Sequence, residues 1–295
     1  MADILEPGTI DQLVDDAARS GHQVGVRLVR DWTELGLLNY PQRRSAGKGR
    51  GSHQALYSAN QRQLFLTLLH HRPNNKIKSL ARIPVGIWMY WGDQFVPTDQ
   101  ARRAMITWLG DPRVSKKQAR HSAQEILRRL DNPGASIAAR RELLNAVTDM
   151  AYTLRLDYER LERAIRDVFE PGDSKVRKAV GHPAAPMMTD SMIDLVKARL
   201  EAVSRLRDGK VTDEELHQAR HAHLVTFAEY ALQQPSFTAH APATVPDMYE
   251  PVTAETALAN SCGHLLTTLG MAALHPDRAA LIAAVPAPRI TFAAG

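Results

Sequence analysis

Arg27-Leu-Val-Arg30-Asp-Trp32-Thr-Glu-Leu-Gly36-Leu-Leu38 is followed by a basic, glycine-rich loop, Arg43-Arg44-Ser-Ala-Gly-Lys48-Gly-Arg50-Gly51, and by a helix start at Tyr57-Ser58. Val26, Val29, Leu35 and Leu38, with Leu28 and Trp32, recur at helical spacing. They predict an amphipathic helix that stops at the glycine. Arg27 and Arg30 are three apart and share one face of it. Trp32 falls on the flank between that face and the apolar one, and is expected in the core.

Upstream, Thr9-Ile-Asp-Gln12 has the spacing of a capping box, in which the Thr hydroxyl takes an early helix N–H and Gln reaches back. Ile10, Leu13, Val14 and Ala17 then mark one helical face, and Gly21 is expected to close that helix before a short turn at His22-Gln23. Residues 1–8, ending in Pro7-Gly8, read as a loosely held leader. Downstream, Asn39 to Leu56 is long enough for a two-stranded wing. Ser58-Ala-Asn-Gln61 is a second capping box, opening a helix with Leu64, Phe65, Leu68 and Leu69 inward. Ile77 to Trp91 is apolar, with Pro84 expected to interrupt or kink a helix there.

The charge is unevenly spread. The chain of 295 residues carries +5 overall, yet between Leu35 and Gly92 there are nine Lys or Arg and no Asp or Glu. Residues 1–34 sum to −4 (three basic, seven acidic), and the remainder balances at 25 of each sign. A polyanion is the natural partner of such a segment, because each neutralised phosphate releases condensed counterions. Charge alone leaves a solvated basic face equally open. Two short helices joined by a turn, the second showing paired arginines, have the outline of a helix-turn-helix.

The run from Arg27 to Leu38, then Pro41 and Arg43-Arg44, then Leu56-Tyr57-Ser58, resembles the winged-helix DNA-binding domain of MerR-type regulators. The resemblance covers about residues 9–92 and is most specific in the Arg27–Leu38 run. It implies an N-terminal winged helix-turn-helix domain, residues 1–92. The helical pattern beyond it, without the single long dimerisation helix usual in that family, adds an all-helical dimerisation or regulatory region, residues 93–295, with a candidate linker at 170–187, so a mainly α protein is expected. Two features depart from the family. The segment from Ile10 to Arg27 is longer than usual, and the Gly-Tyr-Arg of the wing tip is replaced by His53-Gln-Ala-Leu56, so the wing cation becomes Lys48 or Arg50 on a longer loop.

The expected roles follow from side-chain chemistry. Arg27 and Arg30 are the candidates for groove contact, since a guanidinium bridges O6 and N7 of guanine or grips a phosphate; the alternative is a surface ion pair with Asp31 or Glu34. Arg43, Arg44, Lys48 and Arg50 are expected to grip phosphate or enter the minor groove, which positions without naming bases. Tyr57 is a candidate phosphate donor or a half-buried hinge tyrosine. Arg62, on the first turn of the third helix, is placed to reach the backbone, with Lys76 and Lys78 in support.

Beyond Gly92 helices are predicted at roughly 98–110, 115–131, 135–152, 156–169, 188–208, 213–233 and 252–273, with breaks at Asn132-Pro-Gly134, Pro171-Gly172 and Pro235. Thr212-Asp-Glu-Glu215 repeats the capping box. No phosphate loop, Cys-x-x-Cys pair or nucleophile–base constellation appears, so no enzyme activity and no cofactor is expected. The single cysteine, Cys262, excludes an internal disulfide framework and is expected as a small buried residue. His217 and His221 have zinc-ligand spacing, but a solvated helix face is favoured. Trp88, Tyr90, Trp91 and Trp108 would line a ligand pocket or, more in keeping with a domain junction, form core. No stretch approaches the ~20 apolar residues of a membrane span, and a cytoplasmic protein is expected. The expected partners are double-stranded DNA, a second copy as a homodimer, and a small-molecule or protein effector on the helical region. The expected function is a sequence-specific transcriptional regulator. The alternative is an architectural or mobile-element DNA protein, excisionase- or partition-like, that bends or coats DNA.

Overall fold

The computed structural model describes residues 4–45, 52–111, 115–127, 134–153, 155–170, 189–239, 252–290 and 292. The chain is mainly helical, and its described residues hold one sheet, a two-stranded antiparallel hairpin. It divides into two compact units: Met1–Gly110 with Glu255–Cys262, and Asp111–Ala254 with Gly263–Gly295. None of the described helices is long and apolar enough to cross a membrane.

The first unit begins with α1 (Ile10–Arg19). The capping box closes as expected: Gln12 N–H donates to Thr9 Oγ1 at 3.3 Å and Thr9 N–H to Gln12 Oε1 at 2.8 Å. Gly21, at φ +83°, turns the chain so that His22 N–H reaches the Ala17 carbonyl at 2.8 Å. The next helix, α2 (Val26–Glu34), buries Val29, Trp32 and Thr33. Trp32 meets Phe65 edge to face, centroids 5.6 Å apart, a geometry worth about 0.5–1.5 kcal/mol beyond the area it buries. Gly36 ends the helix at φ +72°.

The hairpin joins β1 (Gln42–Ser45) to β2 (Ser52–Leu56), with Gln42 opposite Leu56 and Arg44 opposite His53. Gln54 and Ala55 therefore stand against Arg43 alone, a bulge that bends and twists the ribbon. The leader is not loose where it is described. Gly8 pairs with Tyr57 through two backbone bonds of 2.9 and 2.8 Å, and the Glu6 carbonyl accepts from Arg62.

In α3 (Ala59–His71) only half of the second capping box forms: Gln61 N–H donates to Ser58 Oγ at 3.3 Å. The Gln61 side chain instead accepts from Asn39 N–H (2.7 Å) and donates to Gln100 Oε1 (2.8 Å) and the Phe95 carbonyl (3.2 Å). The following helix breaks at Ala81, between α4 (Ile77–Leu80) and α5 (Arg82–Trp91). Pro84 thus lies in the first turn of α5, where its missing N–H is not needed, and the break falls where its ring would meet the Leu80 carbonyl. After α6 (Thr98–Leu109) the unit ends at Gly110, past the boundary expected at Gly92. The reason is that α6 bonds to the segment following α2. The returning Glu255–Cys262 segment packs on α5: Arg82 Nη1 donates to the Ala259 carbonyl at 3.2 Å, and Gly86 leaves room for Leu258. Cys262 is buried, and burial pushes its thiol up to about 12.

In the second unit, α7 (Lys116–Leu127), α8 (Ile137–Thr153), α9 (Tyr158–Phe169) and α10 (Thr189–Arg207) surround a core that includes Leu143, Met150, Ile165, Phe169 and Ile193. Thr212 and Glu215 close a full capping box at the start of α11 (Asp213–Ala239). This helix runs four residues beyond Pro235, against expectation, although the proline removes the backbone donor to the Ala231 carbonyl. The chain continues with α12 (Ala254–Leu274) and α13 (Pro276–Ala283). Gly270 lets the backbone of α12 approach Ala198 of α10 too closely for any Cβ. The candidate linker 170–187 lies almost wholly outside the described residues.

Candidate nucleic-acid interface

Burial of Val29, Trp32 and Thr33 fixes which face of α2 meets solvent, and that face carries Arg27, Arg30, Asp31 and Glu34, all exposed. The Arg27 side chain is 95% exposed, and its one ion pair, to Asp31, is long at 3.9 Å with Asp31 itself 60% exposed. Such a pair is worth about 0–1 kcal/mol and is screened by salt, so it does not withhold Arg27 from a ligand. Arg30 is exposed and enters no ion pair among the described residues. Glu34 is occupied by the Tyr40 hydroxyl at 2.9 Å, a bond that, with burial, raises the tyrosine above its ordinary value. The N-cap residue, Gly25, supplies no side-chain acceptor to the first turn of α2.

Arg43, facing the bulge in β2, is also exposed. Arg44 pairs with His53 through its backbone, while its side chain lies outside the described residues, as do Lys48 and Arg50. The structure therefore brings Arg27 and Arg30 together on one helix and places Arg43 on the adjoining hairpin.

Two sequence candidates lie elsewhere. Arg62 is buried, with its Nε 2.8 Å from Asp16 Oδ2, Nη2 3.0 Å from Asp16 Oδ1, and Nη1 2.8 Å from the Glu6 carbonyl. Its Nε, Nη1 and Nη2 each donate inside the unit and the side chain is 10% exposed, so it does not stand out toward solvent as Arg27 does. Tyr57 is 3% exposed and its hydroxyl lies 3.2 Å from Thr33 Oγ1, which itself donates to the Val29 carbonyl. Burial pushes the Tyr57 hydroxyl above its ordinary value, the contact with Thr33 opposing it. It ties the residue after β2 to α2 from inside, which agrees with the hinge alternative for this tyrosine. Of the supporting lysines, Lys76 is exposed, whereas the Lys78 ammonium lies against Gly110 at the end of α6.

What the sequence reading missed is the seat of α2. Thr107 Oγ1 donates to the Leu35 carbonyl at 2.8 Å, Gln100 Nε2 to the Leu37 carbonyl at 3.1 Å, and Arg103 Nη2 to the Leu38 carbonyl at 3.4 Å. These residues recur at helical spacing on α6, and a row of donors at that spacing after an apolar helix was the only available signal.

Trp88 and Tyr90 are core, with Trp88 Nε1 donating to Asp93 Oδ1 and Thr98 Oγ1, both at 3.2 Å. His223 is buried and stacked on His264, centroids 5.0 Å apart, while His221 Nε2 lies 3.3 Å from the Ile282 carbonyl. Among the described residues no group of three or more His, Cys, Asp or Glu side chains is placed to hold a metal ion. Comparison with protein-family models, with curated proteins and with solved structures finds no match.

Proposed function

We propose that the first unit is a reading head for double-stranded DNA, a winged helix-turn-helix of MerR-like order, and that the protein is a sequence-specific transcriptional regulator. The observation that carries this reading is the exposed pair Arg27 and Arg30 on a helix whose opposite face is locked into core. A nine-residue helix is about 13 Å long, and the major groove admits a helix of this kind. Arg27 and Arg30 supply base or phosphate contacts, and Arg43 supplies a phosphate contact from the hairpin. The excess of nine cations over no anions between Leu35 and Gly92 supports a polyanionic partner. In this reading a homodimer presents two such heads, and the helical second unit takes a small-molecule or protein effector. Titration of the full chain against random-sequence and genomic duplexes tests it: binding that weakens steeply with salt is expected, and no binding at low salt would overturn it.

A further inference from the structure

We infer that α6, which lies outside the helix–helix–hairpin–helix order, sets the angle at which α2 meets a duplex, with Thr107 as a positioning residue. The inference rests on the reading that α2 contacts DNA.

Within the last turn of α2 the Asp31, Trp32 and Thr33 carbonyls take backbone donors from Leu35, Leu38 and Gly36. The carbonyls just past the helix, at its C-cap Leu35 and at Leu37 and Leu38, take side-chain donors from Thr107, Gln100 and Arg103, spaced along one stripe of α6. Gly36 lies so close to this stripe that a Cβ there would sit 2.6 Å from Arg103 Cβ and inside the backbone of Ala104. Arg103 also covers the Tyr40 ring at 4.2 Å, and Tyr40 in turn holds Glu34, the last residue of α2. The C-terminal end of α2 is thus fixed by α6 through hydrogen bonds, backbone contact and a cation–aromatic stack. At its other end Gly25 provides no side-chain cap. Core packing of Val29, Trp32 and Thr33 fixes which face of α2 is turned outward. The α6 donors hold the chain where the helix ends, so the direction in which Arg27 and Arg30 project is set in part from the α6 side. Of the three donors, Thr107 can be changed with least disturbance, because valine keeps its shape and removes only the hydroxyl.

The test uses the full chain and two probes: the duplex that the wild-type protein selects from a randomised pool, and the unselected pool. Thr107→Val should lower the ratio of affinities for the two probes by about three- to tenfold, the range of an ordinary net hydrogen bond. The slope of affinity against salt should stay unchanged, because no phosphate contact is removed. Thr107→Ser, which restores the donor, should recover most of the ratio. Arg103→Lys, which keeps the charge and loses the planar fork near Leu38, should shift the ratio in the same direction without emptying a core site. A wild-type ratio retained by both Thr107→Val and Arg103→Lys would overturn the inference and leave DNA recognition standing. A serine variant as impaired as the valine one would also overturn it, since packing and not the donor would then be at work. If the wild-type chain binds no duplex at low salt, DNA recognition itself is excluded and the positioning role goes with it.

Discussion

Arg62 on α3 grips Asp16 on α1 in a buried two-bond pair, Nε to Oδ2 at 2.8 Å and Nη2 to Oδ1 at 3.0 Å. Arg19 adds a second cation to the same carboxylate from solvent. Removing one partner of a buried pair strands the other charge, at a cost of about 3–5 kcal/mol, whereas replacing both with apolar groups is often close to neutral. Arg62→Met should therefore destabilise the first unit by that order in urea unfolding. Arg62→Met combined with Asp16→Leu should regain a large part of the loss. Equal destabilisation by the single and double variants would show that packing, not charge, dominates here.

Gly36→Ala should be among the most damaging small substitutions in the chain. The residue sits at φ +72°, and the added methyl group would meet the backbone of α6. The left-handed conformation alone costs an L-residue about 1–2 kcal/mol, and the collision adds to it. At Gly21, also left-handed at φ +83° but with open space around it, alanine should cost only the conformational part. Thermal unfolding of the two variants separates the contributions. A Gly21→Ala loss as large as that of Gly36→Ala would contradict the close approach of α6.

The second unit should lose stability in acid. Hydrogen bonds from Arg160, with Lys116 in support, hold Asp149 below its ordinary value of 3.8, and Lys197 and Arg166 hold Glu162 below 4.5. A carboxylate depressed in the folded state contributes stability that is present above its unfolded value and lost as pH falls through the folded one. The melting temperature should thus be insensitive to these groups near neutrality and fall as pH drops below about 4.5. Both sites are partly solvated, so added salt should shrink the effect. A melting temperature unchanged down to pH 3 would rule out these pairs as contributors.

Much of the local structure was legible because its causes are local. The Thr9–Gln12 and Thr212–Glu215 boxes and the Gly36 stop each depend on residues within one turn, and each formed as read. The candidate site was legible in part: the apolar spacing around Val29 and Trp32 correctly set Arg27 and Arg30 to the outside. What failed depended on distant partners. The fate of Arg62 was decided by Asp16, 46 positions earlier. Gln61 left its own capping box for Gln100, 39 positions later. No periodicity on α3 distinguishes an arginine that meets a carboxylate on another helix from one that meets solvent. The donors on α6 that tie it to the first unit bond to carbonyls that carry no sequence signature.

The central claim is that Arg27 and Arg30 face a duplex, and affinity for the selected and random duplexes across a salt series tests it most directly. Log affinity of the wild-type chain should fall linearly with log salt. Arg27→Ala and Arg30→Ala together should weaken binding to the selected duplex by about 1–3 kcal/mol for each base that is no longer read, with much less effect on the random one. Absence of duplex binding at low salt, or a double variant indistinguishable from wild type on both probes, would contradict the account.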